Sequence, residues 1–179
     1  MKQTEPIETE RLILRKPAAD DAELIFRRYA GDPEVTRYLS WPTHRRLAAT
    51  EAFLAWSDED WARWPAGSYL IFERADPTRL LGGTGLAFQS PTIAVTGYVL
   101  ARDAWGQGFA TETLEAMVKV ARRTGVRHLV AVCHPGHRPS ARVLEKCGFV
   151  LDSGRRDKFE FPNLKPKKLW SVLTYILDL

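Results

Sequence analysis

The chain has almost no cysteine. Cys133 and Cys147 are the only two, and they form neither a disulfide framework nor a Cys-x-x-Cys metal or redox pair. They read as free thiols of a reducing compartment, with the cytoplasm as the expectation. No apolar run approaches the roughly 20 residues of a membrane span, and Met1-Lys2-Gln3-Thr4-Glu5 lacks the apolar stretch of a leader peptide. Excess charge is small: 26 Lys and Arg stand against 22 Asp and Glu, a net charge of +4. The only basic cluster, Lys165-Pro166-Lys167-Lys168, is too short to be a nucleic-acid footprint. Neither nucleic acid nor membrane is therefore expected as a partner. The common hydrolase and phosphate signatures are absent too: no Gly-x-Ser-x-Gly, no His-Glu-x-x-His and no P-loop.

What remains is an ordinary globular composition, 45% hydrophobic and 27% charged over 179 residues. It fits one domain over 1–179, with an ordered core over about 8–179. Leu12-Ile13-Leu14-Arg15 reads as a first strand that Pro17 ends. Asp20-Asp21-Ala22-Glu23 reads as a capping box opening a helix with Leu24, Ile25, Arg28 and Tyr29. A short helical piece follows Asp32-Pro33, and a longer helix runs from Leu47 to Trp64. Three strands follow with no helix between them, Ser68 to Glu73, Leu80 to Phe88 and Thr92 to Leu100, which predicts an antiparallel meander. Then Ala110, Leu114, Met117, Val118 and Ala121 mark one face of an amphipathic helix. A buried parallel strand is expected at Leu129 to Cys133, reached by crossover. A short helix from Ser140 to Cys147 and strands at Phe149–Leu151 and Trp170–Leu177 complete the chain. The fold class is α/β of the α+β type: a mixed, mostly antiparallel central sheet with helices on both faces.

The strand ending at Leu100 leads into Trp105-Gly106-Gln107-Gly108-Phe109-Ala110-Thr111 and directly into the amphipathic helix. A glycine turn at a helix N-terminus gathers free N–H groups and the positive end of the dipole, a ready anion site. It is not a dinucleotide fingerprint, because Thr111 stands where the third glycine belongs and Arg127 to His134 carries no acidic residue for a ribose.

These segments resemble the GCN5-related N-acetyltransferase superfamily, and most closely the branch of the ribosomal-protein N-terminal acetyltransferases. The resemblance rests on Thr9-Glu10-Arg11-Leu12-Ile13-Leu14-Arg15, on Asp32-Pro33-Glu34-Val35 with Tyr38-Leu39 and Trp41, and on Gly97-Tyr98 followed by Trp105 to Glu112. It rests also on Ser140 with Val143-Leu144-Glu145-Lys146-Cys147-Gly148-Phe149. It implies the acyl-coenzyme A N-acyltransferase fold and an acetyl-coenzyme A-dependent N-acetyltransferase. It also implies direct attack by a primary amine, protein N-terminal or small-molecule, with both substrates bound. By the same resemblance, the backbone amides of Gly106, Gln107, Gly108, Phe109, Ala110 and Thr111 hold the cofactor pyrophosphate, and Trp105 belongs to the same cofactor-binding segment. The edge Tyr98-Val99-Leu100 pairs with the pantetheine arm, and an N–H at Val99 or Leu100, assigned to Leu100, stabilises the oxyanion. Ser140 is the general acid, His137 contributes to the cofactor site, and Trp41 lines the acceptor cleft. The donor and the acceptor are the expected partners, and the chain is expected as monomer or homodimer.

The chain makes three departures from the superfamily pattern. Trp105 stands where Gln or Arg is frequent, His137 where Asn is usual, and Ala94, Val95 and Thr96 where many relatives place a Glu before the Gly-Tyr pair. With that carboxylate missing, a base could come from Glu160, Glu112, Asp103 or His134. An amine of low pKa, such as an α-amine near 7.7–8.0, then suits the chain better than lysine near 10.4. The alternative is a family fold kept as an acyl-coenzyme A-binding or regulatory module. Cys133 reads as a small apolar residue rather than a nucleophile, and Cys133, His134 and His137 lack the partners a metal site needs. Trp56 and Trp61 read as core. Asp58-Glu59-Asp60 reads as a solvated helix face.

Overall fold

The computed structural model describes residues 6–179; the reading of Met1 to Glu5 as no leader lies outside them. Alternation decides the first strands. In β2 (Leu12–Arg15) Leu12 and Leu14 are fully buried while Ile13 and Arg15 are partly covered, as one residue in two on each face requires. A two-residue strand, β1 (Ile7–Glu8), pairs antiparallel with it. β3 (Ser68–Glu73), β4 (Leu80–Ser90) and β5 (Ile93–Leu100) follow as the expected antiparallel meander. The close approach of β4 to β5 depends on Gly82, where an added Cβ would lie 1.9 Å from the Val99 carbonyl oxygen.

The helices cover both faces. α1 (residues 19–30) starts as a tight 3-10 turn and ends in a wider π-helical turn before Gly31. Its start corrects the capping-box reading. The N-cap is Ala18, not Asp20, and the Asp21 carboxylate accepts the Ala18 N–H at 2.7 Å. Arg15 fixes the Asp21 carboxylate in that place by donating to both its oxygens, at 2.8 and 2.7 Å. Asp32 caps α2 (Pro33–Thr36), accepting from the Glu34 and Val35 N–H groups, and α3 (Leu47–Arg63) follows. One core, with Ile25, Tyr29, Leu54, Leu70 and Phe72, lies under α1 and α3. The other, with Leu114, Met117, Val120 and Ala121, lies under α4 (Phe109–Arg123), the predicted amphipathic helix.

β6 (His128–Cys133) returns parallel to β5, as predicted. α5 (Arg138–Lys146) leads to β7 (Val150–Leu151). The expected single strand from Trp170 to Leu177 is in fact two. β9 (Leu169–Ser171) pairs with an unpredicted β8 (Lys158–Glu160) in a separate two-stranded sheet. β10 (Leu173–Asp178) joins the main sheet between β6 and β7. The break falls at Val172, whose N–H turns aside to the Asp157 carbonyl at 3.2 Å. The main sheet therefore has the order β1-β2-β3-β4-β5-β6-β10-β7.

Candidate active site

β5 and β6 are paired only at Ile93–His128, Ala94–Leu129 and Val95–Val130. Beyond that point each strand stays with its other neighbour. β6 continues along β10 to the Cys133–Leu173 pair, and β5 continues along β4 to the Leu100–Gly82 pair. The sheet thus opens into a wedge. The Ala101 N–H donates to the Leu81 carbonyl at 2.8 Å. By the alternation of an antiparallel ladder, Gly97 and Val99 then turn their backbone groups to β4, and Thr96, Tyr98 and Leu100 turn theirs to the wedge. Of the two oxyanion candidates, it is therefore the Leu100 backbone N–H that turns to the wedge, although Val99 and not Leu100 is among the residues lining the cavity beyond it. The Leu100 carbonyl is already occupied by the Trp105 indole N–H at 2.7 Å.

At the end of β5 a short 3-10 turn, Arg102–Ala104, leads into the glycine turn. Gly106 and Gly108 both have left-handed backbone, φ +73° and +81°, a region open to glycine at little cost. Gly108 is the N-cap of α4 and has no side-chain cap, so the first N–H groups of that helix are left to an outside acceptor. Arg11 stands at this turn, which the sequence reading gave no role. Its guanidinium donates to the Gln107 carbonyl at 2.8 Å and to Glu112 at 2.7 Å, and lies over the Phe109 ring at 4.7 Å. Phe109 itself is buried in the core, and the Gln107 side chain donates to the Asp103 carbonyl at 2.6 Å.

A cavity of about 550 Å³ runs from the wedge to the aromatic residues beyond it. Tyr98, Val99, His137 and Ser140 line it, as does Trp41. Tyr98 and Ser140 meet there. Burial pushes the Tyr98 phenol up, and a hydrogen bond with Ser140 opposes part of that rise. Ser140 lies in the first turn of α5, where its N–H bonds the His137 carbonyl at 3.1 Å. The His137 ring stacks on Tyr38 with centroids 4.9 Å apart. Its pKa is lowered by burial first and by neighbouring His134 second. Cys133 is buried on the wall with its thiol pushed up to about 11 by burial, unsuited to nucleophilic attack near neutrality.

None of the four bases considered from sequence lines the cavity. Glu112 accepts from Thr9 and from Arg11; burial alone would raise its carboxyl, but these bonds outweigh it and hold it low. Asp103 is held low in the same way by Arg28 and Arg79. Glu160 accepts from the Lys167 N–H, and His134 Nδ1 accepts from the Gly136 N–H at 3.0 Å. The histidine that does line the cavity beside Trp41 is His44. Its Nδ1 lies 2.8 Å from the fully buried Thr50 hydroxyl, and burial lowers its pKa. Its nearness to Trp41 in one loop was a signal available in the sequence. Trp61 is core, donating its indole N–H to the Ser68 carbonyl, but Trp56 is not: it is 50% exposed and lines the cavity.

Two segments form the outer wall, the loop between α2 and α3 and the β8–β9 hairpin. Asn163 ties them together. Its amide donates to the Thr36 and Trp41 carbonyls at 2.7 and 2.9 Å, and its oxygen accepts from the Thr43 N–H and hydroxyl at 2.8 and 3.0 Å. No local pattern announces a residue whose partners are some 120 positions away.

The sequence matches the family model of the Acetyltransferase (GNAT) domain over residues 11–150. The chain is 31% identical to "Uncharacterized N-acetyltransferase YoaA" of Bacillus subtilis (strain 168), over 80% of this chain and 81% of that one. It is 26% identical to "Uncharacterized N-acetyltransferase p20" of Bacillus licheniformis, over 86% of each. Among solved structures, the fold is similar to that of RimL, the ribosomal L7/L12 alpha-N-protein acetyltransferase, in complex with coenzyme A. That similarity has a TM-score of 0.80 at 21% identity and covers 98% of both chains. With the family model covering most of its length, this chain belongs to the GNAT family of acetyltransferases and is an N-acetyltransferase that takes the acetyl group from acetyl-coenzyme A to an amine.

Proposed function

We propose that the wedge between β5 and β6 is where the acetyl donor and a primary amine meet, and that the chain's own backbone and side chains carry the transfer. Acetyl-coenzyme A supplies the acetyl group as an activated thioester. The observation that carries the reading is the parity of β5, which turns Tyr98 and Leu100 toward the opening. An extended arm with amide groups fits such an edge as an added strand would. The turn from Trp105 to Thr111, with its two left-handed glycines and uncapped helix start, suits the pyrophosphate, and Arg11 stiffens that turn from outside.

Within this frame the Leu100 N–H stabilises the negative charge that develops on the acyl oxygen, a contribution commonly worth about 10²–10³ in rate. Ser140, beside the Tyr98 phenol, gives its proton to the departing sulfur and regains one from water as the products leave. The amine must arrive neutral to attack. His44, oriented at Nδ1 by Thr50 and held neutral near pH 7 by burial, accepts at its other nitrogen the proton the amine releases. Both substrates are bound at once, so no covalent enzyme intermediate is needed.

Calorimetric titration with acetyl-coenzyme A, beside NAD and ATP as controls, tests the donor site. Binding in the micromolar range is expected for the wild type and none for a folded Gly108→Val variant. A valine there is forced to φ +81° and fills the space phosphate needs. Unchanged affinity in that variant removes the proposed pyrophosphate site.

A further inference from the structure

The aromatic end of the cavity has a composition that the reaction does not require. Among the described residues, no Asp, Glu, Lys or Arg lines the cavity. Its outer part is walled instead by Tyr38, Trp41, Phe53, Trp56, Phe159 and Phe161. Rings already pair within the wall, Phe53 with Trp56 at 6.1 Å and Trp41 with His44 at 5.2 Å between centroids, yet Trp56 keeps half its surface open. The four hydrogen bonds of Asn163 hold both sides of this wall together. The result is a chamber open on the Trp56 side, whose about 550 Å³ also takes in the wedge, a size suited to small ligands.

From this the geometry points to one acceptor class: a monoamine carried on an aromatic body, an arylalkylamine. This rests on the reading of the cavity as the site where donor and amine meet. Each charged group brought past the aromatic rim loses much of its water and finds no opposite charge among the lining residues. A polyamine or an aminoglycoside carries further ammonium groups that must stay ionised, so it is rejected. A free amino acid is rejected by its carboxylate, which no Arg or Lys of the lining meets. A lone amine escapes the penalty, because desolvation lowers its pKa and the neutral form is the one that attacks. Its ring replaces water on the open face of Trp56 and between Trp41 and Phe161, where offset and edge contacts add to apolar burial. The loop that carries Trp41 and His44 also carries Arg37, Arg45 and Arg46, so the approach adds no attraction for a polycation.

The experiment uses the full chain and two readouts. Quenching of tryptophan fluorescence by phenethylamine is measured with coenzyme A present, and thiol release from acetyl-coenzyme A is followed with phenethylamine, phenylalanine, spermidine and a short serine-initiated peptide. Saturable quenching is expected, together with a kcat/KM for phenethylamine at least about a hundredfold above that for phenylalanine or spermidine, the scale of one uncompensated buried charge. Trp56→Ala, at a half-exposed position, raises the phenethylamine KM and leaves acetyl-coenzyme A affinity as it was. A polycation, the amino acid or the peptide as the best acceptor overturns the proposal, and so does the absence of saturable quenching. Failure of acetyl-coenzyme A itself to bind is a different result: it overturns the donor site and not merely the acceptor class.

Discussion

Asn163 offers a direct test of whether the outer wall of the cavity is held or merely adjacent. Replacing it with alanine removes two donated and two accepted hydrogen bonds between segments 120 and more residues apart. At about 1 kcal/mol each, four such bonds set an upper figure near 4 kcal/mol. Asn163 is only half-buried, so water takes up part of what is lost, and about 2 kcal/mol is the expected cost. For a chain of this size that lowers the unfolding midpoint by about 4–8 °C. The loop carrying Trp41 and His44 is then released from the hairpin carrying Phe159 and Phe161, so the acceptor KM rises by about tenfold. Acetyl-coenzyme A affinity holds, because the glycine turn is elsewhere. Asn163→Asp is the worse replacement near neutrality. It keeps an acceptor for Thr43 but sets a carboxylate against the Thr36 and Trp41 carbonyls. Scanning calorimetry gives the midpoints and steady-state kinetics the KM. A midpoint within a degree of wild type in Asn163→Ala, or an aspartate variant more stable than the alanine one, refutes the reasoning.

Two further outcomes follow from the same geometry. Ser140→Ala should lower kcat by about 10²-fold, the small end of general acid catalysis, with acetyl-coenzyme A affinity unchanged by calorimetry; an unaltered kcat takes Ser140 out of the proton path. Stability should also fall on the mildly acid side. His44, His134 and His137 are all held below their ordinary value, chiefly by burial, so just below about pH 6.5 the unfolded chain binds more protons than the folded one and stability rises with pH. The midpoint therefore drops between about pH 7 and 5, ahead of any loss from carboxylates held low such as Glu112 and Asp32, whose contribution is lost only as the pH falls through and below the ordinary carboxylate range. His44→Gln flattens part of that drop, and a wild-type midpoint constant across the window contradicts it.

How much of this was legible in the sequence depends on how local the signal was. The face of α4 could be read because Leu114, Met117 and Ala121 recur at helical spacing, and all three are buried. The glycine turn could be read because Gly106 and Gly108 precede that face. The meander could be read because nothing helical separates its strands. The hairpin of β8 and β9 could not, since Lys158, Phe159 and Glu160 are all exposed and short strands of that kind are defined by a partner rather than by a pattern. The run from Trp170 to Leu177 looked continuous because Val172, where the chain changes sheets, is itself a good strand residue. Asp20 looked like a cap because the pattern of types was right, but Arg15 fixes Asp21 instead, which moves the cap to Ala18. Trp56 misled for a related reason: its position among helical aromatics suits a core, and only the fold shows that it faces a chamber.

The wedge itself follows from a competition between neighbours. β6 could have continued along β5, but its later residues Ala131, Val132 and Cys133 pair with Tyr175, Thr174 and Leu173 of β10. β5 is equally committed to β4, where Gly82 permits an approach no side chain would allow. Each strand keeps its other partner, and only the pairs from Ile93 to Val95 join the two halves. An unpaired edge is normally a hazard at the rim of a sheet; here it lies in the interior, flanked by Tyr98, His137 and Ser140, where a chance strand has no access. In the proposed reading that protected edge is what makes the donor site selective. An extended arm ending in a small acyl group can follow β5 inward, whereas a polypeptide with side chains on both faces meets α5 on one side and the aromatic wall on the other.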